Sequence, residues 1–267
     1  GRDGIPRDPP GPFLMFQAVK DALESFQPIT LSEMDTVKLM DRTDTKFVFP
    51  VSDLPGILQS VSSDYRALVV AGTRLSKYET LYYDTADFDL YHRHHVGRSN
   101  RFKVRSRRYV ESDLCFFEVK YRNNKGRTIK NRIRTPDIQP DIGENPARLL
   151  GELTNLDPAK LKGTIWVNYQ RATLVSKTTA ERLTLDLALT FRTAHRSIEF
   201  SKMVVAEVKR EKANSPSPVI AVLNERRIRT GSISKYCLGL ISTHAGLRKN
   251  NFAEQIRHFQ RILNNAA

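Results

Sequence analysis

The chain has 267 residues, 40% of them hydrophobic, and a formal net charge of +14. This size and composition allow a real hydrophobic core, and the positive charge favours a polyanionic partner: nucleic acid, an anionic membrane surface or phosphorylated small molecules. The two cysteines, Cys115 and Cys237, exclude a disulfide framework. No apolar run reaches the roughly 20 residues that span a bilayer.

The N-terminus shows neither the apolar segment nor the small-residue cleavage site of a signal peptide. Both cysteines sit in apolar or strand-like contexts, where buried free thiols are expected. Together these features favour a reducing compartment and predict a cytoplasmic location.

The predicted elements begin after residues 1–12, which are rich in Pro and Gly and predict a flexible lead. Apolar residues at helical spacing between Phe13 and Phe26 then predict an amphipathic helix. Further helices are predicted at residues 53–61, 86–96, 145–153, 219–227 and 252–263. Strands are predicted at residues 41–49, 65–71, 75–84, 100–109, 114–121, 127–134, 164–174, 182–190, 197–200 and 203–210. Because no linker or repeat interrupts this series, residues 13–267 are predicted to form one domain.

The stretch Leu114–Arg134 predicts two strands joined by a tight Asn-Asn-Lys-Gly turn, in which Gly126 is free to take a positive φ. Side chains alternate between the two faces of a strand, so apolar residues such as Val119 share one face. Charged residues such as Glu118 and Lys120 share the other face. The hairpin is therefore apolar on one side and densely charged on the other.

The same alternation recurs in the strand-like stretches near residues 42–47, 101–107, 182–187 and 206–209. Their charged faces are mostly Arg and Lys with single carboxylates, whereas a solvated face tends to mix charges with Ser, Thr, Asn and Gln. Two architectures follow. The apolar faces can meet inside, or the sheet can close with the charges inside and helices covering its exterior. A closed sheet of about eight strands leaves room for one small ligand.

Phosphate chains suit a face of this kind, because Arg offers a bidentate fork and Lys a compact charge. Glu118, Asp186 and Glu207 each lie on a basic strand face. They could supply the one or two carboxylates that Mg²⁺ or Mn²⁺ needs beside phosphate oxygens, or could simply pair with their basic neighbours.

Three histidines lie close together at His92, His94 and His95 and suggest a metal site. No Cys, Glu or Asp at ligand spacing supports zinc binding there, so a polar loop beside basic strands is the preferred interpretation.

Several segments together resemble the VTC domain of polyphosphate polymerases, in the triphosphate tunnel metalloenzyme superfamily. Their order and spacing match over about residues 40–240, most of the chain. The segments are DRTDTKF at 41–47, LYYDT at 81–85, RFKVRSR at 101–107, FFEVKYR at 116–122, KNRIR at 130–134, VNYQRA at 167–172, ERLTLD at 181–186, AEVKR at 206–210 and SISKYC at 232–237.

The resemblance implies an α+β fold, with a closed eight-stranded antiparallel β-tunnel, a charged interior, and helices packed on the outside. It implies a catalytic set of Lys46, Arg105, Lys120 and Glu207, with Mn²⁺ or Mg²⁺ held by Glu207 and, as a second contributor, Glu118. The phosphate-binding residues it implies are Arg42, Lys46, Lys103, Arg105, Lys120, Lys130, Arg132, Arg171, Arg182, Lys209, Ser234 and Lys235.

The activity implied by the resemblance is ATP-dependent polyphosphate synthesis, with ATP, triphosphate and polyphosphate as partners. The first strand reads Arg-Thr-Asp-Thr-Lys instead of the Glu-x-Glu-x-Lys of the hydrolase and cyclase branch, which disfavours a plain triphosphatase. A triphosphatase and a non-catalytic polyanion-binding module remain alternatives. Nucleic acid is not expected, because most aromatic residues are predicted on the face opposite the basic residues. The oligomeric state stays open.

Overall fold

The computed structural model describes residues 12–36, 43–125, 127–211, 215–231 and 234–265. In these ranges the helices are α1 (Pro12–Glu24), α2 (Leu31–Thr36), α3 (Leu54–Val61), α4 (Asp89–His95), α5 (Glu144–Leu153), α6 (Pro218–Glu225), α7 (Lys235–Thr243) and α8 (Ala253–Asn265). The strands are β1 (Gln27–Ile29), β2 (Thr43–Pro50), β3 (Tyr65–Leu68), β4 (Ser76–Asp84), β5 (Arg101–Tyr109), β6 (Leu114–Arg122), β7 (Thr128–Thr135), β8 (Lys162–Ser176), β9 (Glu181–Arg192), β10 (Ser197–Phe200) and β11 (Met203–Arg210).

The strands form one sheet whose main path runs β2-β11-β9-β8-β4-β5-β6-β7 through antiparallel pairs. Strand β10 pairs with β9, and β3 pairs with β8 and, in parallel, with β1. The predicted α+β class and antiparallel sheet are confirmed. The predicted closed tunnel of eight strands is not confirmed, because the eleven described strands leave β2 and β7 as unpaired ends of the path.

The sheet is nevertheless strongly curved, as two lysines on distant strands show. Lys46 on β2 and Lys103 on β5 are five strand positions apart along the main path. In a flat sheet, spacings of about 4.8 Å would separate them by about 24 Å. Burial lowers the pKa of Lys103, and the nearby positive charge of Lys46 lowers it further. We call the face that these two side chains share the inner face.

Apolar residues of the outer face pack beneath helices in two clusters. In one cluster, residues of β9 and β11 such as Leu185 and Ala206 contact α1, α3 and α6. In the other, residues of β4 to β6 such as Phe117 contact α4 and α5. This arrangement agrees with the prediction that helices cover the apolar side of the sheet. Within the described residues, no helix is long and apolar enough to cross a membrane.

Helix α7 departs from that prediction, because it packs against the inner face. Its residues from Tyr236 to Ile241 are all buried. This helix contacts β8, β9, β10 and α4, and its apolar residues belong to a cluster that also includes residues of β11 and α8. The sequence pattern missed this helix because a helix that is buried on all sides has no polar stripe and so no helical periodicity to detect.

A bulge in β9 makes this packing possible. Between Leu187 and Thr190, β9 has one residue more than the facing stretch of β8, and Ala188 takes a φ of 49°. The extra residue reverses the alternation of side chains. Before the bulge Asp186 points to the inner face and Leu187 to the outer face, whereas after it Leu189 and Phe191 point inward and meet α7.

Most other predicted elements are confirmed with small shifts at their ends. Strand β1 and helix α2 were not predicted, because each is too short to show a periodic pattern. Residues 1–11 of the predicted lead and Gly126 of the predicted turn lie outside the described residues.

The close approach of α7 to the sheet predicts that Gly239→Ala destabilises the fold. A Cβ at this position would lie 2.6 Å from Phe191 Cδ1 and 2.8 Å from Ile165 Cδ1. Overpacking of this kind costs about 1–3 kcal/mol, more than the roughly 1 kcal/mol by which Ala favours a helix over Gly. We expect a lower free energy of unfolding, measured by urea denaturation.

Gly151→Ala in α5 is the matched control, because no atom lies within 4 Å of the added Cβ. This change should raise the free energy of unfolding by up to about 1 kcal/mol. A stabilising effect at both positions would contradict the packing of α7 described above.

Candidate anion-binding site

Cross-strand rows of side chains line the inner face where β4, β5, β6 and β7 run side by side. Residues of one row face each other in register, and neighbouring rows lie two residues apart along each strand, about 6.7 Å. The rows are Lys103–Lys120–Lys130 (the lysine row), Tyr82–Arg105–Glu118–Arg132 (the glutamate row), Thr80–Arg107–Phe116–Arg134 (the arginine row) and Tyr169–Tyr78–Tyr109 (the aromatic row).

Glu118 is the ionic centre of the glutamate row, and its side chain is 0% exposed. Arg105 donates to Oε2 through Nε at 2.7 Å and lies 2.6 Å away through Nη2, while Lys130 contacts Oε1. Burial alone would raise the pKa of Glu118, but the charges of Arg105, Arg107 and Lys130 outweigh it and hold this pKa well below its usual range. Glu118 is therefore ionised and serves as the counter-ion of two cations.

Asp186 on β9 has the same role in the other half of the inner face. Arg171 on β8 donates to its two carboxylate oxygens at 2.6 and 2.8 Å. Lys235, the first residue of α7, lies 2.5 Å from Oδ2. The charges of Arg171 and Lys235 outweigh the effect of burial and keep the pKa of Asp186 well below its usual range.

Glu207 on β11 is more accessible than these two acids, with 22% of its side chain exposed. Lys209 Nζ lies 2.9 Å from its Oε1 and Lys46 Nζ lies 4.0 Å from the same atom. Burial would raise the pKa of Glu207, but these two ammonium groups outweigh it and lower the pKa to about 2. Lys209 also lies 2.9 Å from Asp44 on β2.

Helix α7 is fixed at its first turn by Asp84, which is 1% exposed at the end of β4. Tyr236 donates its hydroxyl proton to Asp84, whose oxygens also accept two backbone N–H groups of α4 at 2.9 Å. Asp84 thereby ties β4, α4 and α7 together. It sets the position of Lys235 and of Ser234, the N-cap residue of α7, whose side chain makes no capping bond to the helix.

Within the described residues, five cations of these rows have no carboxylate at ion-pair distance: Lys103, Arg107, Lys120, Arg132 and Arg134. Arg107 is only 6% exposed and donates from Nε to Thr80 Oγ1 at 3.1 Å. The charge of Arg105, then burial, lowers the pKa of Lys120 well below its usual value. The inner face thus has an excess of positive charge that a bound anion would neutralise.

A family model for the VTC domain matches residues 41–244, which is most of the chain. The chain belongs to the VTC domain family. A comparison with curated proteins found no match.

Solved structures similar to this VTC domain include a possible adenylyl cyclase from Hippeastrum whose dominant activity is that of a triphosphatase. It shares 16% identity, covers 76% of this chain and 96% of its own, and has a TM-score of 0.47. A possible adenylate cyclase from Vibrio parahaemolyticus shares 11% identity over 74% of this chain and 99% of its own, with a TM-score of 0.45.

Most of the predicted phosphate-binding residues of the VTC domain lie on the inner face, and Arg182 on β9 faces Lys209 in register. Ser234 lies at the N-terminus of α7. Arg42 lies outside the described residues. The inner-face residues among the predicted set are Lys46, Lys103, Arg105, Lys120, Lys130, Arg132, Arg171, Arg182, Lys209 and Lys235.

Arg107 was not in the predicted set, although its alternation with Lys103 and Arg105 along β5 was a usable signal. Asp84 and Tyr236 were also missed, because their bond joins segments that are distant in the sequence.

The prediction that most aromatic residues lie opposite the basic residues is wrong for several rings, among them Tyr78 on β4 and Tyr169 on β8. The guanidinium of Arg107 lies 5.4 Å from the ring centre of Tyr78 and 5.7 Å from that of Tyr169. Arg171 lies 5.0 and 5.3 Å from the same two rings. Cation–π attraction makes this mixture of rings and guanidinium groups favourable. The alternation in β4 puts Tyr78 and Tyr82 on the face opposite Leu81, so the sequence already indicated that these two tyrosines share the face of the basic residues.

The carboxylates predicted to hold Mn²⁺ or Mg²⁺ differ in how well they fit a metal ion. Within the described residues, no three His, Cys, Asp or Glu side chains form a group that could hold one. Glu207 fits a site in which one carboxylate and substrate phosphates supply the ligands, since part of its side chain is exposed. A cation at the buried Glu118 would have to displace Arg105 or Lys130.

The histidines of α4 make contacts of other kinds. A ring nitrogen of His94 lies 3.1 Å from the carbonyl oxygen of Phe102, and His95 stacks on Tyr91. Burial and the charge of Lys103 lower the pKa of His94 to about 3, so this ring is neutral near pH 7.

Tyr82 should ionise at a lower pH than an ordinary tyrosine. Burial would raise its pKa, but the charges of Arg105, Arg107 and Lys103 outweigh burial and lower the pKa to about 8. We expect a step in the ultraviolet absorbance of tyrosinate near this pH, absent from Tyr82→Phe. A bound triphosphate should move the step to higher pH, because it neutralises the cations that stabilise the phenolate. Triphosphate affinity should correspondingly fall as the pH rises through the step.

Tyr83→Phe is the control for this titration, because Tyr83 lies on the outer face and burial raises its pKa to about 12. The step should remain in this variant. A step that survives Tyr82→Phe would contradict the assignment.

Proposed function

We propose that this VTC domain binds the phosphate chain of a nucleoside triphosphate on its inner face and transfers a phosphoryl group from it to the end of another phosphate chain. The product is polyphosphate, and ATP is the expected donor. One observation carries the proposal: the buried acids of the inner face are already paired, while Lys103, Arg107, Lys120 and Arg132 have no carboxylate partner among the described residues.

The proposed chemistry needs position and charge more than it needs a reactive side chain. Phosphoryl transfer proceeds through a loose transition state whose charge lies on the transferring group, so catalysis is mostly alignment and electrostatic stabilisation. The end of a phosphate chain is itself a nucleophile. We therefore assign no Ser, Cys or His nucleophile to this domain.

Lys46, Arg105 and Lys120 are the proposed catalytic cations. Arg105 is held rigidly by Glu118, so its guanidinium is oriented before substrate binds. Lys120 is surrounded by Arg105 and Lys130, and a phosphate oxygen beside it would stabilise its charged form. The other proposed phosphate-binding residues are Arg42, Lys103, Lys130, Arg132, Arg171, Arg182, Lys209, Ser234 and Lys235, to which we add Arg107.

Glu207 is the proposed metal-binding residue, for Mn²⁺ or Mg²⁺. When bound, the cation would supply charge neutralisation at the phosphate oxygens. Lys209 and Lys46 contact Oε1 of this carboxylate and keep it ionised, and a bound cation would share the carboxylate with these two ammonium groups. Glu118 would then serve as a counter-ion for Arg105 and Lys130.

The N-terminus of α7 provides a second positive feature beside Lys235. The first backbone N–H groups of a helix have no partner within the helix, and the helix dipole is positive at that end. Asp84 and Asp186 hold this end in place through Tyr236 and Lys235. A phosphate near Ser234 would thus meet both a fixed ammonium group and the helix N-terminus.

The role of Arg107 can be separated from a general effect of charge, because its neighbour Arg108 points to the opposite face and pairs with Asp137. Arg107→Ala should weaken triphosphate binding by about 10- to 100-fold, the range expected for loss of a charge-assisted hydrogen bond. Arg108→Ala removes the same charge and should change binding little. Isothermal titration with inorganic tripolyphosphate measures both, and equal losses would argue against a specific contact.

The proposed function is tested by incubating the protein with ATP and Mn²⁺ or Mg²⁺, then assaying polyphosphate on gels together with free phosphate. The wild type should produce polyphosphate, and Glu207→Gln should lose this metal-dependent activity. Glu199→Gln, which neutralises an exposed acid on β10, should retain it. Free phosphate without polymer would replace the polymerase with a triphosphatase. Neither product with either metal would favour a non-catalytic polyanion-binding module, whose binding to nucleic acid would weaken steeply with salt.

A further inference from the structure

A patch of aromatic side chains adjoins the cations at one end of the inner face. Tyr78 and Tyr109 face each other in register, with ring centres 5.0 Å apart, and Phe116 lies 6.1 Å from Tyr109. Phe116 is also in register with Arg107. The patch therefore continues the same rows that hold the unpaired cations.

These three rings each keep part of their surface exposed to solvent. Tyr78, Tyr109 and Phe116 are each half-buried, whereas Phe117, the next residue on β6 and on the opposite face, is 1% exposed. Phenylalanine is among the residues that are most often fully buried in a protein core, so the exposed part of Phe116 is unusual. A half-buried aromatic patch beside a polyanion site is typical of surfaces on which nucleobases stack.

Arg132 shows that the patch accepts a flat group. Its guanidinium carbon lies 4.4 Å from the ring centre of Phe116. Arg132 is exposed, and among the described residues no carboxylate holds it in place. It can therefore yield its place on the ring to a base, or move to cover the other side of that base.

The order of the rows gives the orientation of the ligand. Along the strands the lysine row comes first, then the glutamate row, the arginine row and the aromatic row, at intervals of about 6.7 Å. A phosphate chain lying on the first three rows would bring the attached nucleoside to the aromatic row.

We propose that Tyr78, Tyr109 and Phe116 form a nucleobase-stacking subsite, which holds a purine nucleoside triphosphate with its base at this end and its terminal phosphate toward Lys103, Lys120 and Lys130. The proposal rests on the proposed function and deepens it, because it makes a nucleotide, and not an inorganic phosphate chain, the preferred donor. Stacking reads shape more than hydrogen-bond pattern, so ATP and GTP should bind alike.

The test compares ATP with inorganic tripolyphosphate by isothermal titration of the intact protein. Phe116→Leu keeps an apolar side chain of similar bulk but removes the ring. It should weaken ATP binding by about 10-fold, as expected for loss of one stacking partner, and leave the affinity for tripolyphosphate unchanged. Tyr109→Leu should behave in the same way. Tyr121→Leu is the matched control, since Tyr121 stacks on Phe102 on the outer face of the same two strands.

Equal losses for ATP and tripolyphosphate would overturn the subsite, because the rings would then act only by positioning the arginines. Unchanged ATP binding in both variants would overturn it as well. If the wild type bound neither ligand, the proposed function itself would fail. A second experiment uses the wild-type protein and therefore does not depend on how a variant folds. Its probe is 2-aminopurine riboside triphosphate, whose fluorescence falls when the base stacks on an aromatic ring. Quenching that excess ATP reverses would support the subsite, whereas binding without quenching would contradict it.

Discussion

The inner face exists because three carboxylates each hold two cations. Glu118 contacts Arg105 and Lys130, Asp186 contacts Arg171 and Lys235, and Glu207 contacts Lys209 and Lys46. Without these acids, so many like charges on one curved sheet would repel each other strongly, and a buried ion without a partner is costly. Because each acid joins cations from different elements, the same ion pairs that reduce the repulsion also fix the relative positions of strands and of α7.

The pairing is incomplete in a way that matters for function. The acids neutralise and orient part of the basic set, and the remaining cations stay in excess on the same surface. A fully neutralised face would have no electrostatic reason to bind an anion, and a face without acids would be difficult to fold. Partial neutralisation leaves a positively charged site whose guanidinium groups are already positioned. This reduces the entropy cost of ordering those groups when a ligand binds.

The alternation of basic and apolar residues was enough to predict the antiparallel sheet, its charged face, and most of the cations on that face. Residues such as Arg105 and Lys120 follow directly from their position on a strand. Three features could not be predicted in this way. Helix α7 lacks a polar stripe, the Asp84–Tyr236 bond joins residues far apart in the chain, and the curvature of the sheet accumulates over many strands, which no local pattern records. The aromatic residues of the inner face were missed for a different reason: Tyr78 and Tyr82 alternate with Leu81 along β4, but the prediction did not use the alternation of this strand.

The single extra residue at Ala188 divides the inner face into a charged part and an apolar part that packs against α7. On one side of the bulge the inward positions of β9 carry Asp186 and other polar groups, and on the other side they carry Leu189 and Phe191, which pack beneath α7. Without the bulge, the inward side chains of β9 would have to be all polar or all apolar, or a charged side chain would be buried under the helix. The charged half can therefore diverge during evolution, acquiring or losing ligand contacts, while the apolar half that supports it stays intact.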